Sequence, residues 1–163
     1  MPAYKRGLKI GSAWNYREAA LGSSGNKGTF TDKDKGKPLK LAADSTYDVC
    51  AAGDEIEEIF EALAAQQSTV NNGYQIGTIR DDGQFLGIID DITEAPAIGK
   101  YVVSGTQAAL GTLNGPAGKE TTGYATVRCI ANANRAAALN KWRIVSILSG
   151  SGVGAVVLCE RVR

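Results

Sequence analysis

Short apolar runs, each closed by turn residues, recur along this chain and constrain its fold more than any other feature. Residues 38–41 and 46–50 alternate apolar and polar side chains, and Ala43, Asp44 and Ser45 separate the two runs. That arrangement is typical of two strands joined by a turn. Glycine occurs 20 times in 163 residues, above an average usage of about 7%, and glycines between apolar runs favour turns. We therefore predict a mainly β fold, an antiparallel β-sandwich or barrel-like body.

A hairpin is predicted in the middle of the chain. Residues 81–83, Asp-Asp-Gly, separate an apolar run at 74–80 from another at 84–89. This turn sequence is typical of a tight connection between two antiparallel strands. Two further strands are predicted at 101–103 and 124–131.

The C-terminal part of the chain predicts a second hairpin. Residues 142–148 and 153–162 flank the turn sequence Ser-Gly-Ser-Gly at 149–152, and apolar residues occupy both faces of the two strands. Such a strand pair is either buried on both sides or packed into an interface. Residues 105–118 and 132–140 are expected to be loops.

One segment carries a pattern typical of a helix. Its apolar residues fall at positions i, i+3, i+4 and i+7, with glutamates between them; they are Ile56, Ile59, Phe60 and Leu63. By local spacing alone this segment is predicted to be helical.

Residues 1–30 lack a regular apolar pattern, yet they contain aromatic and large apolar side chains. A disordered tail would be poor in aromatic residues. We therefore predict an extended N-terminal arm that precedes a single β-rich domain at 31–163. The arm buries its aromatic side chains against this domain or against a neighbouring subunit, with Trp14, Tyr16 and Leu21 as candidate partner-binding residues.

Charge and hydropathy argue against several classes of protein. Eighteen basic residues against 17 acidic ones leave a net charge of +1, whereas binding to nucleic acid depends on a concentrated basic surface. The first ten residues lack the apolar core of a signal peptide, and no stretch of about 18 apolar residues occurs. We expect a protein that folds in the cytoplasm and binds neither nucleic acid nor membrane.

The three cysteines are odd in number, far apart in sequence and free of any CxxC motif. A disulfide framework favours an even count, and a zinc site favours clustered ligands. We predict that Cys50, Cys129 and Cys159 are buried, reduced thiols.

The residues needed for common kinds of catalysis are missing or poorly arranged. The chain contains no histidine, which removes the commonest general base and metal ligand. The aspartate pairs at 81–82 and 90–91 are adjacent in sequence, so their side chains point apart in a strand, and we assign them turn and surface roles. GSGVGA at 150–155 matches a dinucleotide-binding loop only loosely, because a strand rather than a helix is predicted after it. We expect a protein that is not an enzyme and has no cofactor, metal or small-molecule substrate.

Four stretches together resemble the small capsid decoration, or cement, proteins of tailed bacteriophages. They are AWNYREAA at 13–20, DKGKPLKL at 34–41, AGDEIE at 52–57 and NGYQIGTI at 72–79. The resemblance covers roughly residues 13–90.

This resemblance implies a structural virion protein on the outer surface of the capsid, assembled in the host cytoplasm. It implies binding to the major capsid protein, a homotrimer at three-fold positions and arms that reach adjacent subunits. It also implies that residues 55–63 form a strand. Two alternatives stay open: a carbohydrate-binding β module that stacks sugars on Trp14, Tyr74 or Trp142, and a hydrolase that uses carboxylates.

Overall fold

The computed structural model contains ten β-strands in the part of the chain that it describes. The described residues are 16–22, 30–31, 34–42, 45–64, 74–81, 83–107, 125–130 and 142–162. The strands are β1 (Tyr16–Leu21), β2 (Pro38–Leu41), β3 (Tyr47–Val49), β4 (Glu58–Leu63), β5 (Gln75–Arg80), β6 (Gln84–Asp91), β7 (Val102–Ser104), β8 (Ala125–Cys129), β9 (Trp142–Ser149) and β10 (Val156–Arg161). Within these ranges there is no α-helix, which confirms the predicted mainly β fold.

The first five strands form a closed barrel in the order β1-β3-β2-β4-β5. β5 closes it by pairing with β1 along the whole of both strands, from Tyr16 opposite Arg80 to Leu21 opposite Gln75. A parallel contact between Leu21 and Tyr47 joins β1 to β3. The buried residues that fill the barrel are Leu21, Phe30, Leu39, Tyr47, Phe60 and Ile79.

The last five strands form a second sheet in the order β7-β8-β6-β10-β9. Its neighbouring strands are antiparallel except β6 and β8, which are parallel. The sheet has its own core, in which Phe85 packs edge-to-face on Trp142 with ring centroids 5.0 Å apart. The body is therefore a barrel with an attached sheet, and each unit has a separate buried interior.

The predicted hairpin at 81–83 is wrong, although the strands on either side of it are correct. β5 belongs to the barrel and β6 to the second sheet, so the two do not pair. Gly83 adopts a φ of 80°, a conformation that glycine takes without steric cost. Residues 81 and 83 lie in bends, and the next strand pairs in a different sheet.

Residues 58–63 form strand β4, as the family resemblance implied and against the local helix pattern. The strand runs between the two cores: Ile59 packs in the core of the second sheet and Phe60 in the barrel. Because two faces are buried in two different interiors, apolar residues follow one another along β4 instead of alternating with exposed ones.

The C-terminal hairpin is confirmed, with β9 and β10 antiparallel. β10 lies between β6 and β9, and Val157, Leu158 and Cys159 are all buried. The strand is thus buried on both faces within one chain.

β9 ends the strand order, but its first residues also bond to the segment before β7. The amide of Gly99 donates to the carbonyl oxygen of Ile144 at 2.7 Å, and the amide of Ile144 donates to that of Lys100 at 2.8 Å. Near the other end of β9, Leu148 is 41% exposed.

Several predicted features fall outside the described residues. They are the first part of the N-terminal arm at 1–15, most of the glycine-rich segment at 105–118 and the loop at 132–140. In the described part of the chain, no helix is long and apolar enough to cross a membrane.

Candidate functional site

The predicted N-terminal arm is in part a strand of the barrel. Tyr16 opens β1 opposite Arg80, and residues 16–21 pair with β5. Leu21 is 0% exposed and packs inside the barrel, so its prediction as a partner-binding residue is wrong. Trp14 lies outside the described residues, and its role stays a prediction together with that of Tyr16.

Backbone hydrogen bonds hold the barrel to the second sheet. The amide of Gly53 donates to the carbonyl oxygen of Ser104 at 2.8 Å, and the amide of Ser104 donates to the carbonyl oxygen of Asp54 at 2.9 Å. The amide of Arg161 also donates to the carbonyl oxygen of Gly83 at 3.1 Å, which continues the pairing of β10 with β6 inside the second sheet. We call the region around Gly83, Arg161 and β4 the joint.

Glu58 is a buried acid at this joint. The guanidinium of Arg17 donates to its Oε1 and also to the hydroxyl of Tyr47, while lying 5.1 Å from the centre of the Tyr47 ring. Glu58 is 5% exposed. Burial raises the pKa of its carboxyl group and outweighs the opposing effect of Arg17.

Three more side chains complete the joint. Arg161 donates from Nη1 to the carbonyl oxygen of Glu57 at 2.9 Å, and its guanidinium carbon lies 5.7 Å from the centre of the Trp142 ring. Asp81 Oδ1 and Trp142 Nε1 are buried and have no hydrogen-bond partner among the described residues. The joint therefore combines opposite charges with polar atoms that are not fully paired.

A second buried acid, Glu61, pairs with Arg80. Arg80 donates from Nε to Glu61 Oε1, and both side chains are almost completely buried. Burial raises the pKa of the Glu61 carboxyl group, and the charge of Arg80 opposes the rise. Glu61 is the extra residue of a β-bulge between Phe60 and Ala62, and Arg80 on β5 balances the charge that is buried there.

The aspartates at 90–91 have different roles from each other. Asp90 accepts hydrogen bonds from Arg128 Nε at 3.1 Å and Nη2 at 2.8 Å, and from the amide of Thr106 at 2.6 Å. Asp91 accepts from the amide of Thr93 at 2.7 Å. The Asp90 side chain is only 5% exposed, so the surface role predicted for it is wrong. Asp91 is the last residue of β6, and its side chain bonds to the bend that follows the strand.

All three cysteines are buried and free, as predicted. Burial raises the pKa of the Cys50 thiol to about 12, and it raises the pKa values of Cys129 and Cys159 as well. Since the thiolate is the nucleophile, these side chains are packing residues.

No group of three or more potential metal ligands occurs in the ranges that the structure covers. Among the carboxylates described above, Glu61 and Asp90 are bound by arginines. These ion pairs offset the charges of the two carboxylates. No family model, curated protein or solved structure matches the chain.

The candidate sugar-stacking residues do not form a common surface. Trp142 is 0% exposed and lies in the core of the second sheet, so it cannot offer its ring to a glycan. Tyr74 is partly buried, and Trp14 lies outside the described residues.

Sequence reasoning missed the residues of the joint. Helical spacing separates Glu58 and Glu61 from the apolar positions of the segment, so it does not predict that they are buried. Their position inside an apolar run was the one available signal, since buried glutamates require paired cations. The sequence alone does not identify Arg17 and Arg80 as those cations, because Arg17 lies 41 residues from Glu58.

Proposed function

We propose that this protein is a structural virion protein that binds the outer surface of a tailed-phage capsid and stabilises the lattice of major capsid subunits. The observation that carries the proposal is that the resembling region and a structural unit of the protein begin and end at nearly the same residues. The stretches that resemble decoration proteins lie within residues 13–90, and the closed barrel together with β6 spans Tyr16–Asp91. The resemblance thus follows one complete structural unit and the strand after it.

Residues of the resembling stretches have clear roles in the barrel. Gly36 donates from its amide to the carbonyl oxygen of Phe60 at 2.8 Å, with a φ of 89°. Gly53 turns the chain with a φ of 87°. At Gly77 an added Cβ would lie 2.8 Å from the carbonyl oxygen of Ala62 and closer still to Leu21 Cδ1. These motifs support a shared barrel architecture.

The proposed capsid contact involves Trp14 and Tyr16. β1 is paired on both sides in the closed barrel, and a rigid strand is a suitable base for a binding segment, because it lowers the entropy lost on docking. Aromatic side chains at such a position supply large contact areas. A protein that binds the mature lattice alone would stabilise that state by linkage.

We further propose that three copies act together at three-fold positions of the shell. A trimer presents the same surface to each of three equivalent capsid subunits, as symmetric assemblies do. Leu148 near the end of β9 is exposed, and Val153 of the adjoining turn is exposed too. Such side chains are compatible with contact between copies or with the shell.

Cosedimentation with capsid shells tests the proposal. Shells assembled from a tailed-phage major capsid protein would be mixed with this protein and spun through a density gradient. We expect saturable binding and a higher melting temperature of the decorated shell. Absence of binding to mature shells at micromolar concentrations would contradict the proposed function.

Three variants locate the contact. Trp14→Ala and Tyr16→Ala should weaken shell binding without lowering the stability of the free protein. Trp14→Phe should retain most of the shell binding. Arg143→Ala, at a partly exposed pair with Glu160, serves as a surface control. A glycan array tests the carbohydrate-binding alternative, and specific glycan binding that survives in the absence of shell binding would favour that alternative.

A further inference from the structure

Glu58 lies where the two cores of the molecule meet. It directly precedes Ile59, which packs in the core of the second sheet, and Phe60, which packs in the barrel. Its side chain is buried, and Arg161 of the second sheet donates to the carbonyl oxygen of the preceding residue, Glu57. A change in the charge of Glu58 therefore acts close to the contact between the barrel and the second sheet.

The carboxyl group is only half satisfied. Oε1 accepts a hydrogen bond from Arg17, but Oε2 is buried and has no partner among the described residues. Asp81 Oδ1 is also buried without a hydrogen-bond partner among the described residues. A buried carboxylate oxygen without a donor costs free energy, and a nearby second carboxylate adds repulsion.

Charged groups from three elements act on Glu58. Arg17 on β1 and Arg161 on β10 favour its ionised form, and Asp81 after β5 favours its neutral form. Arg17 is 52% exposed, so water screens its charge. Arg161 is engaged by the carbonyl oxygen of Glu57. Neither cation donates to Oε2.

We propose that Glu58 is a proton-sensitive element of the joint, whose buried and half-satisfied position fits a neutral carboxyl group better than a carboxylate, and that its ionisation loosens the contact between the barrel and the second sheet. A neutral carboxyl group avoids the charged, unpaired Oε2. Its proton also removes the repulsion with Asp81. The proposal is independent of the capsid function.

The direction of the pH dependence follows from the pKa. The pKa of Glu58 is raised in the folded protein above its ordinary value of 4.5. The folded state therefore binds more protons than the unfolded state at pH values between the two pKa values. The neutral group contributes its full stabilisation below pH 4.5. This stabilisation is lost as the pH rises through the raised pKa of the folded protein.

Carbon-13 NMR titration of the glutamate side chains tests the proposal directly. The Glu58 signal would be assigned in the native protein by sequential backbone and side-chain correlations. We expect Glu58 to titrate with a midpoint above pH 4.5, and we expect Asp81→Asn to lower the midpoint of the Glu58 titration. A midpoint at or below 4.5 in the native protein would overturn the proposal, and this measurement holds even if the variants fail to fold.

Hydrogen exchange tests the consequence for the joint. The amide of Ser104 on β7, which donates to the carbonyl oxygen of Asp54 between β3 and β4, should lose protection as the pH rises through the Glu58 titration, after correction for the intrinsic exchange rate. In Glu58→Gln, which mimics the neutral group, its protection should not vary with pH. Glu61→Gln, at the other buried acid, should keep the native pH dependence. A Ser104 protection factor that stays constant with pH in the native protein would refute the loosening.

Discussion

Phe60 and Leu63 both pack into the interior of the barrel, although they lie three residues apart in one strand. Phe60 is opposite Ile79 and Leu63 is opposite Gly77, and the register shifts between Phe60 and Ala62. The bulge adds one residue to β4, so inward-facing side chains are separated by three positions instead of two. This spacing is the one that a helix would also show.

Gly77 is predicted to be essential for closing the barrel at this point. In Gly77→Ala the new methyl group would meet Leu21 Cδ1 and lie 2.8 Å from the carbonyl oxygen of Ala62. Since a backbone carbonyl in a strand does not move easily, we expect a loss of about 1–3 kcal/mol in the free energy of unfolding. Urea denaturation measures it.

Gly152→Ala is the matched control, because a Cβ at that position has no neighbour within 4 Å. Its effect should stay within about 0.5 kcal/mol, as for most surface changes. Equal stabilities of the two variants would argue against the tight approach of β1, β4 and β5.

The buried pair of Arg80 and Glu61 should respond strongly to the loss of one partner. Arg80→Met leaves the Glu61 carboxylate buried without its cation, and we expect a loss of about 3–5 kcal/mol in unfolding free energy. Replacing both residues, Arg80→Met with Glu61→Leu, should recover much of this loss, because no unpaired charge remains. Chemical denaturation of the three proteins provides the comparison.

The partly exposed pair of Arg143 and Glu160 is the control for this series. Arg143→Ala should cost about 0–1 kcal/mol, since water screens such pairs. If Arg80→Met lowered the unfolding free energy by a similarly small amount, the Glu61 carboxylate would have to be screened by water as well.

The three thiols should react slowly in the native protein. Cys50, Cys129 and Cys159 are buried, and the pKa of Cys50 is raised to about 12, so little thiolate is present near neutral pH. A thiol reagent should modify them only after unfolding and then count three. A denatured count of one would reveal a disulfide.

The proposed trimer can be measured by light scattering, which should give three times the chain mass of 17.1 kDa in solution or three copies per site once docked. The position of β10 between β6 and β9 explains its two apolar faces within a single chain, so the trimer depends on other surfaces. A monomer that also docks singly at positions without three-fold symmetry would refute it.

Local patterns predicted most strands because alternating side chains and turn residues act over a few positions. The runs at 38–41 and 142–148 needed no information from elsewhere in the chain. Leu21 shows the limit of this reasoning, since its segment has no regular pattern and becomes a strand only by pairing with β5.

What the sequence determined by itself is the β content, the places where the chain turns and the burial of the three cysteines. Tertiary structure decided which strands pair: β5 closes the barrel on β1, and β6 starts the second sheet. It also brought Arg17 to Glu58 from 41 residues away. The physical reason is that backbone hydrogen bonds are the same between any two strands, so pairing depends on which side chains share a core, and that is a property of the whole chain.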